Sequence, residues 1–414
     1  MMIKLSTLLD GNSLSSALHL QQTKISSRVV IVTANFIAQD WRMCQAVWRS
    51  PLLPTMISSA SASGLPALGT GARFKHDLLA YLRSYGTGKT ASLVNQLRNH
   101  DFTSIKAALV ASVPSKINLR ASDPETEDLW GWPSLKRILR SFPTRSSKSH
   151  IVVQISSVAS VGEKWLANTF FDALSTSTDS KTRPAFSVIF PTADEIRRSL
   201  DGYSAGNSIH MKTQSAAQIK QLDYLRPLLC HWAGDGVNQD NATLSSTAPA
   251  REAGRKRAAP HIKTYIRFTD DSMTNIDWAM MTSANLSTQA WGAATNASGE
   301  VRICSYEIGV IVWPTLWDEG ITNSVEMVPV FKKDTPDFED GNPNQIAQAA
   351  DSEYGGIQTN DMRAKSSTKT RVGWRMPYDL PLVPYAKDEV PWCATAPCDE
   401  PDWMGRSWPG FGSG

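Results

Sequence analysis

The chain has 414 residues, of which 41% are hydrophobic, and a formal net charge of +3 at pH 7. This length favours two domains over one core, and the small positive charge permits a nucleic-acid partner without requiring one. The five cysteines lack the spacing of a zinc site, and we expect free thiols in a reducing compartment with neither a signal peptide nor a membrane span.

The alternation of apolar and polar residues predicts strands and helices that follow one another along the chain. The expected elements are a strand and turn at 28–41, a loop at 58–71, helices at 74–86 and 90–101, a strand and turn at 150–162, a helix at 163–174, and a strand followed by a helix at 185–200. This order is typical of layered α/β proteins.

The segment PHIKTYIRFTDDSM, residues 260–273, places a His and a Lys two positions apart in an apolar run. Alternate residues of a strand share a face, so His261 and Lys263 should point the same way as Tyr265 and Arg267. The intervening apolar residues can then pack on the other face. We therefore expect the His and the Lys to face a cleft.

A short internal repeat suggests two related halves. TANFIAQDW at 33–41 and SANLSTQAW at 283–291 align at an offset of 250 residues and share four residues. Each copy follows an apolar, strand-like run. The second copy contains Asn285, which lies far enough after Lys263 for a hairpin to bring the two side chains together.

A His, a Lys and an Asn that converge at strand ends suit phosphoryl chemistry. The His can act as nucleophile or general acid, the Lys supplies positive charge, and the amide of Asn285 donates to phosphate oxygens. The turn that contains Ser283, Asn285 and Ser287 precedes a possible helix, whose first amides would also favour an anion. None of these roles needs a metal or another cofactor.

Eight segments of the chain together match one known family. They are, in chain order, VVIVTANFIAQDW, QAVWRSPLLP, QISSVASVGEKWL, IFPTADEIRRSLDGYSAG, HIKTYIRF, MMTSANLSTQAWG, CSYEIGV and MPYDLP. These segments resemble the tyrosyl-DNA phosphodiesterases, a family within the phospholipase D superfamily. The resemblance implies an α/β fold of two phospholipase D-like α/β/α sandwich halves related by a pseudo-twofold, with one His-x-Lys motif from each half at their junction.

The resemblance also implies an activity and a set of partners. Members cleave the bond between a DNA 3′-phosphate and a topoisomerase I tyrosine, and they trim other 3′ adducts without a metal. The expected partners are therefore DNA with 3′-phosphotyrosyl or other 3′-blocked ends and a topoisomerase I peptide. We expect a monomeric nuclear repair protein with nuclease activity that binds single-stranded and double-stranded DNA.

In the family, the His of the first half attacks phosphorus to form a phosphohistidine, and the His of the second half protonates the leaving phenolate. By this resemblance His261 is the general acid and base, while Lys263 and Asn285 stabilise the phosphoryl oxygens. The other matching positions are Asn35 as the Asn of the first half, Gln45 as a supporting polar residue, Glu307 as the residue that orients a catalytic His, and Ser157 and Ser287 as contacts to DNA phosphates.

The chain departs from the family at the first His-x-Lys motif. The 250-residue offset from His261 and Lys263 falls on Gly11 and Ser13, and no His-x-Lys precedes Asn35. The opening MMIK resembles the residues that follow this motif in the family, so we expect an incomplete first half from a truncated or mis-spliced gene model. Catalysis should be impaired, because the family's phosphohistidine cannot form without its nucleophile.

The predicted division is therefore a partial first half at 1–145 and a second half at 146–414, with flexible insertions near 237–259 and 332–369. Two other functions stay open. One is a catalytically inactive protein, or a gene-model fragment, that binds DNA 3′ ends. The other is a phospholipase, which the wider match to the DNA enzymes disfavours.

Three further features have more than one interpretation. The second His-x-Lys, IHMK at 209–212, has no Asn turn after it, so we interpret His210 and Lys212 as structural or DNA-facing. The basic cluster GRKR at 254–257 is either a nuclear signal or a DNA-contacting loop. The 14 tryptophans are expected mostly in the core, with a few near the groove able to stack on unpaired bases.

Overall fold

Three β-sheets, of nine, five and two strands, and the helices packed against them make up the described part of the protein. The computed structural model describes residues 2–4, 17–22, 26–35, 37–56, 64–121, 129–145, 148–178, 183–233, 249–318, 325–337 and 370–411. Within this part, no helix has the length and apolar character needed to cross a membrane.

The strands are β1 (Met2–Lys4), β2 (Ala17–Gln22), β3 (Ser26–Val32), β4 (Val47–Arg49), β5 (Leu53–Pro54), β6 (Ala108–Ser112), β7 (Ser115–Asn118), β8 (His150–Gln154), β9 (Ala185–Ile189), β10 (Leu229–Cys230), β11 (Thr264–Phe268), β12 (Ile276–Thr282), β13 (Glu300–Ile303), β14 (Glu307–Val312), β15 (Val325–Val330) and β16 (Thr370–Arg375). The α-helices are α1 (Gly71–Arg83), α2 (Thr87–Arg98), α3 (Gly131–Leu139), α4 (Glu163–Trp165), α5 (Phe171–Leu174), α6 (Ala193–Arg197), α7 (Ala216–Leu225) and α8 (Thr288–Trp291). A π-helical turn, Leu166–Phe170, joins α4 to α5, and 3₁₀ turns lie at Asp40–Arg42, Gly202–Ser208, Arg226–Leu228 and Pro314–Trp317.

The larger sheet brings together strands from distant parts of the chain. Its order is β10-β9-β8-β11-β12-β14-β6, and β15 and β16 extend it from β12. Strands β8, β9 and β10 are parallel, whereas β11 and β12 form an antiparallel hairpin beside β8. The smaller sheet has the order β1-β2-β3-β4, with β5 also paired to β3.

Strand β6 lies at the edge of the larger sheet, although it comes from the first third of the chain. Its residues pair in register with β14, from Ser112 opposite Glu307 to Ala108 opposite Ile311. The predicted first half, 1–145, therefore contributes a strand to the sheet of the predicted second half. The proposed boundary at 145 stays a prediction.

Two hydrophobic cores cover the two faces of the larger sheet. Helices α1 and α2 contribute to one core, in which Phe74 and Leu78 of α1 cluster with apolar residues of β3, β6, β11 and β14. The opposite face is covered by α3, the helical segment 163–174 and α7. Both faces of the central strands are thus removed from water, which is why β11 and β12 are buried along their full length.

The structure confirms the predicted α/β class and most of the predicted elements. The strands near 28, 150 and 185, the helices α1 and α2, and the helix at 163–174 all lie where the sequence pattern indicates. Of the two predicted insertions, 237–248 and 338–369 lie outside the described residues. Residues 249–259 are described, and Arg251 pairs there with Leu380.

The predicted strand at 260–268 is wrong in one respect. Strand β11 begins only at Thr264, and His261 and Lys263 lie in the extended segment before it. The expected apolar face is confirmed, since Ile262, Ile266 and Phe268 pack in one core. The opposite face is not a cleft at Tyr265, which packs in the other core. The sheet has a layer of helices on each side, and so the alternation of polar and apolar residues does not distinguish a solvent-exposed face from a buried face.

Gly309 allows β14 to approach β12 closely, and Gly309→Ala should destabilise the protein by about 1–3 kcal/mol. A Cβ at this position would lie 2.3 Å from the carbonyl oxygen of Met281, which is backbone and cannot move aside easily. The urea midpoint of unfolding measures the effect. Gly88→Ala in α2 is the matched control, since no atom lies within 4 Å of the added methyl, and it should stabilise by about 0.5–1 kcal/mol. Equal midpoints for the two variants would contradict the close approach.

Candidate active site

Backbone hydrogen bonds hold the segment that carries His261 and Lys263 between two other segments. The amide of His261 donates to the carbonyl of Cys44 at 3.1 Å, and the carbonyl of Lys263 accepts from the amide of Thr282 at 3.2 Å. Between them, the side-chain amide of Gln154 donates to the carbonyl of Ile262 at 2.7 Å. The segment is thereby fixed before β11 begins.

The two side chains of the motif contact each other directly. The Nζ of Lys263 lies 3.1 Å from Nε2 and 3.2 Å from Nδ1 of His261, and it also donates to the carbonyl of His261 at 2.5 Å. Lys263 is only 1% exposed and His261 only 5%. A buried amine therefore lies against a buried imidazole, without a carboxylate between them.

Residues 40–45 close the site from the first part of the chain. Gln45 lies within 3.2–3.3 Å of Nδ1 of His261 through its side-chain amide, and its Nε2 donates to the carbonyl of Asp40 at 2.6 Å. The hydroxyl of Thr33 donates to Oε1 of Gln45 at 2.8 Å, which fixes the orientation of the amide group. Gln45 can therefore donate from Nε2 to a neutral His261.

Asp40 is a fully buried carboxylate that lies 3.5 Å from Nδ1 of His261. It accepts hydrogen bonds from the backbone amide of Asn35 at 3.1 Å and from the hydroxyl of Ser208 at 2.7 Å. These donors keep the negative charge in place without a direct ion pair to Lys263. Asn35, the predicted residue of the first half, thus reaches the site through Asp40.

Asn285 organises the turn on the other side of the site. Its Oδ1 accepts from the backbone amides of Ser156 and Ser157, each at 3.0 Å. The hydroxyl of Tyr265 donates to the carbonyl of Ala284 at 3.0 Å, which ties the turn to β11. The predicted hairpin that brings Asn285 back beside the His-Lys segment is confirmed by the pairing of β11 and β12.

The remaining predicted residues lie in the same neighbourhood. Glu307 accepts from the hydroxyl of Ser283 at 2.5 Å, and its charge acts on the amine of Lys263. Ser287 caps α8, because its Oγ accepts from the amide of Ala290 at 3.0 Å. The resemblance predicts that Glu307 orients a catalytic His, whereas the carboxylate beside His261 in the structure is that of Asp40. The roles inferred from the resemblance stay predictions.

Burial dominates the protonation of the His-Lys pair. It lowers the pKa of His261 well below its usual range, and the adjacent Lys263 and the nearby His210 lower it further. Burial also lowers the pKa of Lys263 to about 7, although Asp40 and Glu307 oppose this shift. The site therefore holds fewer protons near neutral pH than its composition suggests. A bound oxyanion would favour the protonated form of both groups.

His210 is a member of this neighbourhood that the sequence interpretation missed. Its backbone pairs with Ser157, and its amide donates to the carbonyl of Ser156 at 2.9 Å. Burial and the charge of Lys212 lower the pKa of His210, and Asp40 and Lys263 are near enough to shift it as well. The sequence signal was the second His-x-Lys, but only the pairing with Ser157 brings it to the site.

Asp40 was also missed, and a weak signal for it exists in the internal repeat. The two copies differ at this position, with Asp40 in the first and Ala290 in the second. An acidic residue present in only one copy indicates a role specific to that side of the site. Among the described residues, no cluster of His, Cys, Asp and Glu could hold a metal ion.

The chain is similar to known proteins of one family. The family model described as tyrosyl-DNA phosphodiesterase matches residues 16–386. The "Probable tyrosyl-DNA phosphodiesterase" of Schizosaccharomyces pombe is 29% identical, and the match covers 93% of this chain and 75% of that protein. The "Tyrosyl-DNA phosphodiesterase 1" of Arabidopsis thaliana is also 29% identical, over 92% of this chain and 59% of its own length.

The fold has a counterpart among solved structures. The crystal structure of the yeast tyrosyl-DNA phosphodiesterase superposes with a TM-score of 0.57 at 16% identity, over 92% of this chain and 77% of that one. This likeness places the chain in the fold class of that structure. Within that class, the match to the family model over most of its length shows that the chain belongs to the tyrosyl-DNA phosphodiesterase family.

The low pKa of Lys263 predicts that stability rises with pH. In the unfolded chain a lysine titrates near 10.4, whereas in the folded protein Lys263 titrates at about 7. Between these values the unfolded state binds more protons, so the free energy of unfolding should increase with pH from about 7 to about 10.5. Lys263→Met should remove this contribution and should be more stable than the wild type at pH 7 and below.

The difference in the free energy of unfolding between wild type and Lys263→Met reports the contribution of Lys263, because other groups that titrate in the same range contribute equally to both proteins. Urea unfolding at several pH values measures it, and Lys116→Met, at an exposed position on β7, is the control. A constant difference across the range would contradict the assigned pKa.

Proposed function

We propose that this chain acts on the phosphodiester between a DNA 3′ end and a tyrosine or another 3′ adduct. The observation that carries the proposal is the buried contact between His261 and Lys263, next to the turn in which Asn285 binds the amides of Ser156 and Ser157. Family membership supports the substrate class. The S. pombe relative is named "Probable tyrosyl-DNA phosphodiesterase".

The chemistry follows from the protonation of the pair. A phosphodiester oxygen near Lys263 restores the charge of the amine, because a negative group at short range stabilises the protonated form. The same oxygen favours the protonated imidazole of His261, which can then donate its proton to the departing phenolate oxygen. Water attacks phosphorus as the bond between phosphorus and that oxygen breaks, so the phosphate stays on the DNA 3′ end and the neutral phenol leaves. The proton that the water loses returns to the imidazole of His261.

The missing first His-x-Lys limits this activity. The residues before Asn35 contain one histidine, His19, which has no Lys two positions later. Without a histidine nucleophile a phosphohistidine cannot form, and we infer that turnover by this chain is slow. The alternative that fits the same geometry is a protein that binds DNA 3′ ends without cleaving them.

His261→Ala should abolish turnover, because the general acid contributes about 10²- to 10⁴-fold in rate. The substrate is a single-stranded oligonucleotide with a 3′-phosphotyrosine, tested in EDTA, and any covalent protein–DNA adduct is trapped by denaturation. His76→Ala, on α1 and away from the site, is the control and should cleave like the wild type. Turnover that survives in His261→Ala would contradict the proposed role. Absent turnover with tight binding of 3′-phosphate ends would identify the inactive binder.

Asn285→Asp should separate folding from phosphate binding. The variant keeps the oxygen that accepts from Ser156 and Ser157, so its unfolding midpoint should stay near that of the wild type. It replaces the amide donor by a negative carboxylate, and affinity for a 3′-phosphorylated oligonucleotide should fall by at least about tenfold, the loss expected for a charge-assisted hydrogen bond. Fluorescence anisotropy measures the affinity. Unchanged binding by a folded variant would exclude Asn285 from the phosphate contact.

The proposed substrate implies a nuclear location for a eukaryotic repair protein of this kind. The basic cluster at 254–257 is exposed at Arg255 and Arg257 and is accessible to a transport receptor. Fluorescence microscopy of the tagged full chain, compared with a variant in which this cluster is neutral, tests the proposal. Exclusion of the wild-type chain from the nucleus would contradict it.

A further inference from the structure

A cavity of about 220 Å³ lies outside the candidate active site and has no role in the chemistry above. Four separate segments form its wall: the helix α6 and its C-terminal end, the segment after β10, the basic cluster at 254–257, and the segment near residue 403. The lining residues are Glu195, Arg198, Ala233, Lys256, Arg257 and Trp403.

Positive charge dominates this cavity. The Nε of Arg257 donates to the carbonyl of Arg198 at 3.3 Å, and no carboxylate in the described part of the chain forms an ion pair with Arg257. Lys256 lies 3.6 Å from Asp379 and 3.8 Å from Glu252, both longer than a good charge-assisted hydrogen bond. Both cations therefore keep hydrogen-bond donors for a ligand.

The single acidic side chain of the wall is already neutralised by the protein. Glu195 accepts from the amides of Thr192 and Ala233 at 2.7 and 2.6 Å, and His231 lies behind it with Nδ1 at 3.4 Å. Its charge is thus directed into the protein. The cavity as a whole remains favourable for an anion.

Trp403 adds a flat apolar surface to the cationic wall. Its side chain is 59% exposed, yet its indole N–H donates to the carbonyl of Ser199 at 2.8 Å, which fixes the plane of the ring. An exposed indole next to cationic hydrogen-bond donors is the combination that binds a base and its phosphate in single-stranded nucleic acids.

The cavity is close to the candidate active site. Arg257 precedes His261 by four residues, and four residues span at most about 14 Å. The carbonyl of Arg257 also accepts from the amide of Leu200 at 2.8 Å, at the start of the segment that leads to Ser208 and its bond to Asp40. A strand whose 3′ end lies at His261 can reach the cavity within a few nucleotides.

We propose that this cavity binds one nucleotide of the single-stranded end of the DNA substrate, with the base stacked on Trp403 and a phosphate on Arg257 and Lys256. The proposal rests on the function proposed above, because it places the 3′ end of that strand at His261. The cationic wall favours a DNA strand over a peptide, since every nucleotide supplies both an aromatic ring and a negative phosphate.

Fluorescence anisotropy with a labelled, 3′-phosphorylated oligothymidylate tests the proposal over a range of salt concentrations. Trp403→Ala should weaken binding about 5- to 150-fold without changing the salt dependence, which is the loss expected for one stacked base. Trp403→Phe should retain most of the affinity. Arg257→Gln should reduce the slope of log affinity against log salt by about 0.7, as expected for one lost phosphate contact.

Controls separate this proposal from the proposed function. Arg302→Gln removes an exposed cation on β13, in the smaller two-stranded pairing with β7, and should leave the slope unchanged. Lys263→Ala reports recognition of the 3′-phosphate at the candidate active site. If Lys263→Ala binds weakly but the Trp403 and Arg257 variants bind like the wild type, the cavity proposal alone is overturned. If Lys263→Ala also binds like the wild type, recognition of the 3′ end has failed as well.

Two further arms identify the occupant. A blunt duplex with the same 3′-phosphate has no unpaired base, so Trp403→Ala should not weaken its binding. An acidic peptide with an aromatic residue replaces DNA in the other arm. Loss of peptide binding in Trp403→Ala, with oligothymidylate affinity unchanged, would assign the cavity to a peptide and overturn the proposal.

Discussion

The burial of the Lys263 amine against the His261 imidazole is the constraint on which the site depends. Each group can bind a proton, and in a low-dielectric environment each disfavours the charge of the other. The pair is stable here because the surrounding backbone fixes it and because buried carboxylates lie nearby at Asp40 and Glu307. The arrangement is strained electrostatically in its protonated form, and a bound oxyanion would relieve that strain. Under the proposed function, binding of the phosphodiester and protonation of the pair are therefore coupled.

This coupling requires two distant segments of the chain to meet accurately. Residues 33–45 supply Asp40 and Gln45, and residues 261–285 supply the His-Lys pair and Asn285. The parallel bridge between Cys44 and Pro260 joins the two segments immediately before His261. Because Gln45 bonds to both Asp40 and His261, a shift of either segment would disturb the protonation of the pair. The site therefore forms only where the two segments meet.

The sequence was sufficient for the class of fold and for the hairpin of β11 and β12 that follows His261 and Lys263. The contact between these two side chains and the return of the chain towards Asn285 were predictable, because residue spacing and hairpin length are local properties of the chain, whereas the catalytic roles stay predictions. Burial was not predictable from the same pattern, since it depends on helices that cover both faces of the larger sheet. Arg267 illustrates the limit: it is fully buried near Asp277, which lies across the hairpin.

Long-range pairing explains what the sequence did not reveal at the site. Asp40 approaches His261 only because the bridge at Cys44 brings its segment there, and His210 approaches only by pairing with Ser157. Neither contact corresponds to a residue spacing that could be recognised in the sequence. The internal repeat indicated that Asn35 and Asn285 correspond, but it could not show that the backbone amide of Asn35 donates to the carboxylate of Asp40.

The position of β6 at the edge of the larger sheet has a consequence for biosynthesis. In the described fold its sheet partner is β14, which the ribosome makes about two hundred residues later. At a synthesis rate of about 5–20 residues per second, the apolar segment Ala108–Ser112 lacks its sheet partner for about 10–40 s. During this interval α1 and α2 can cover only one of its faces, and its hydrogen-bonding edge is open to other chains. Nascent polypeptides stalled before β14 should therefore be the form of this protein most dependent on chaperones.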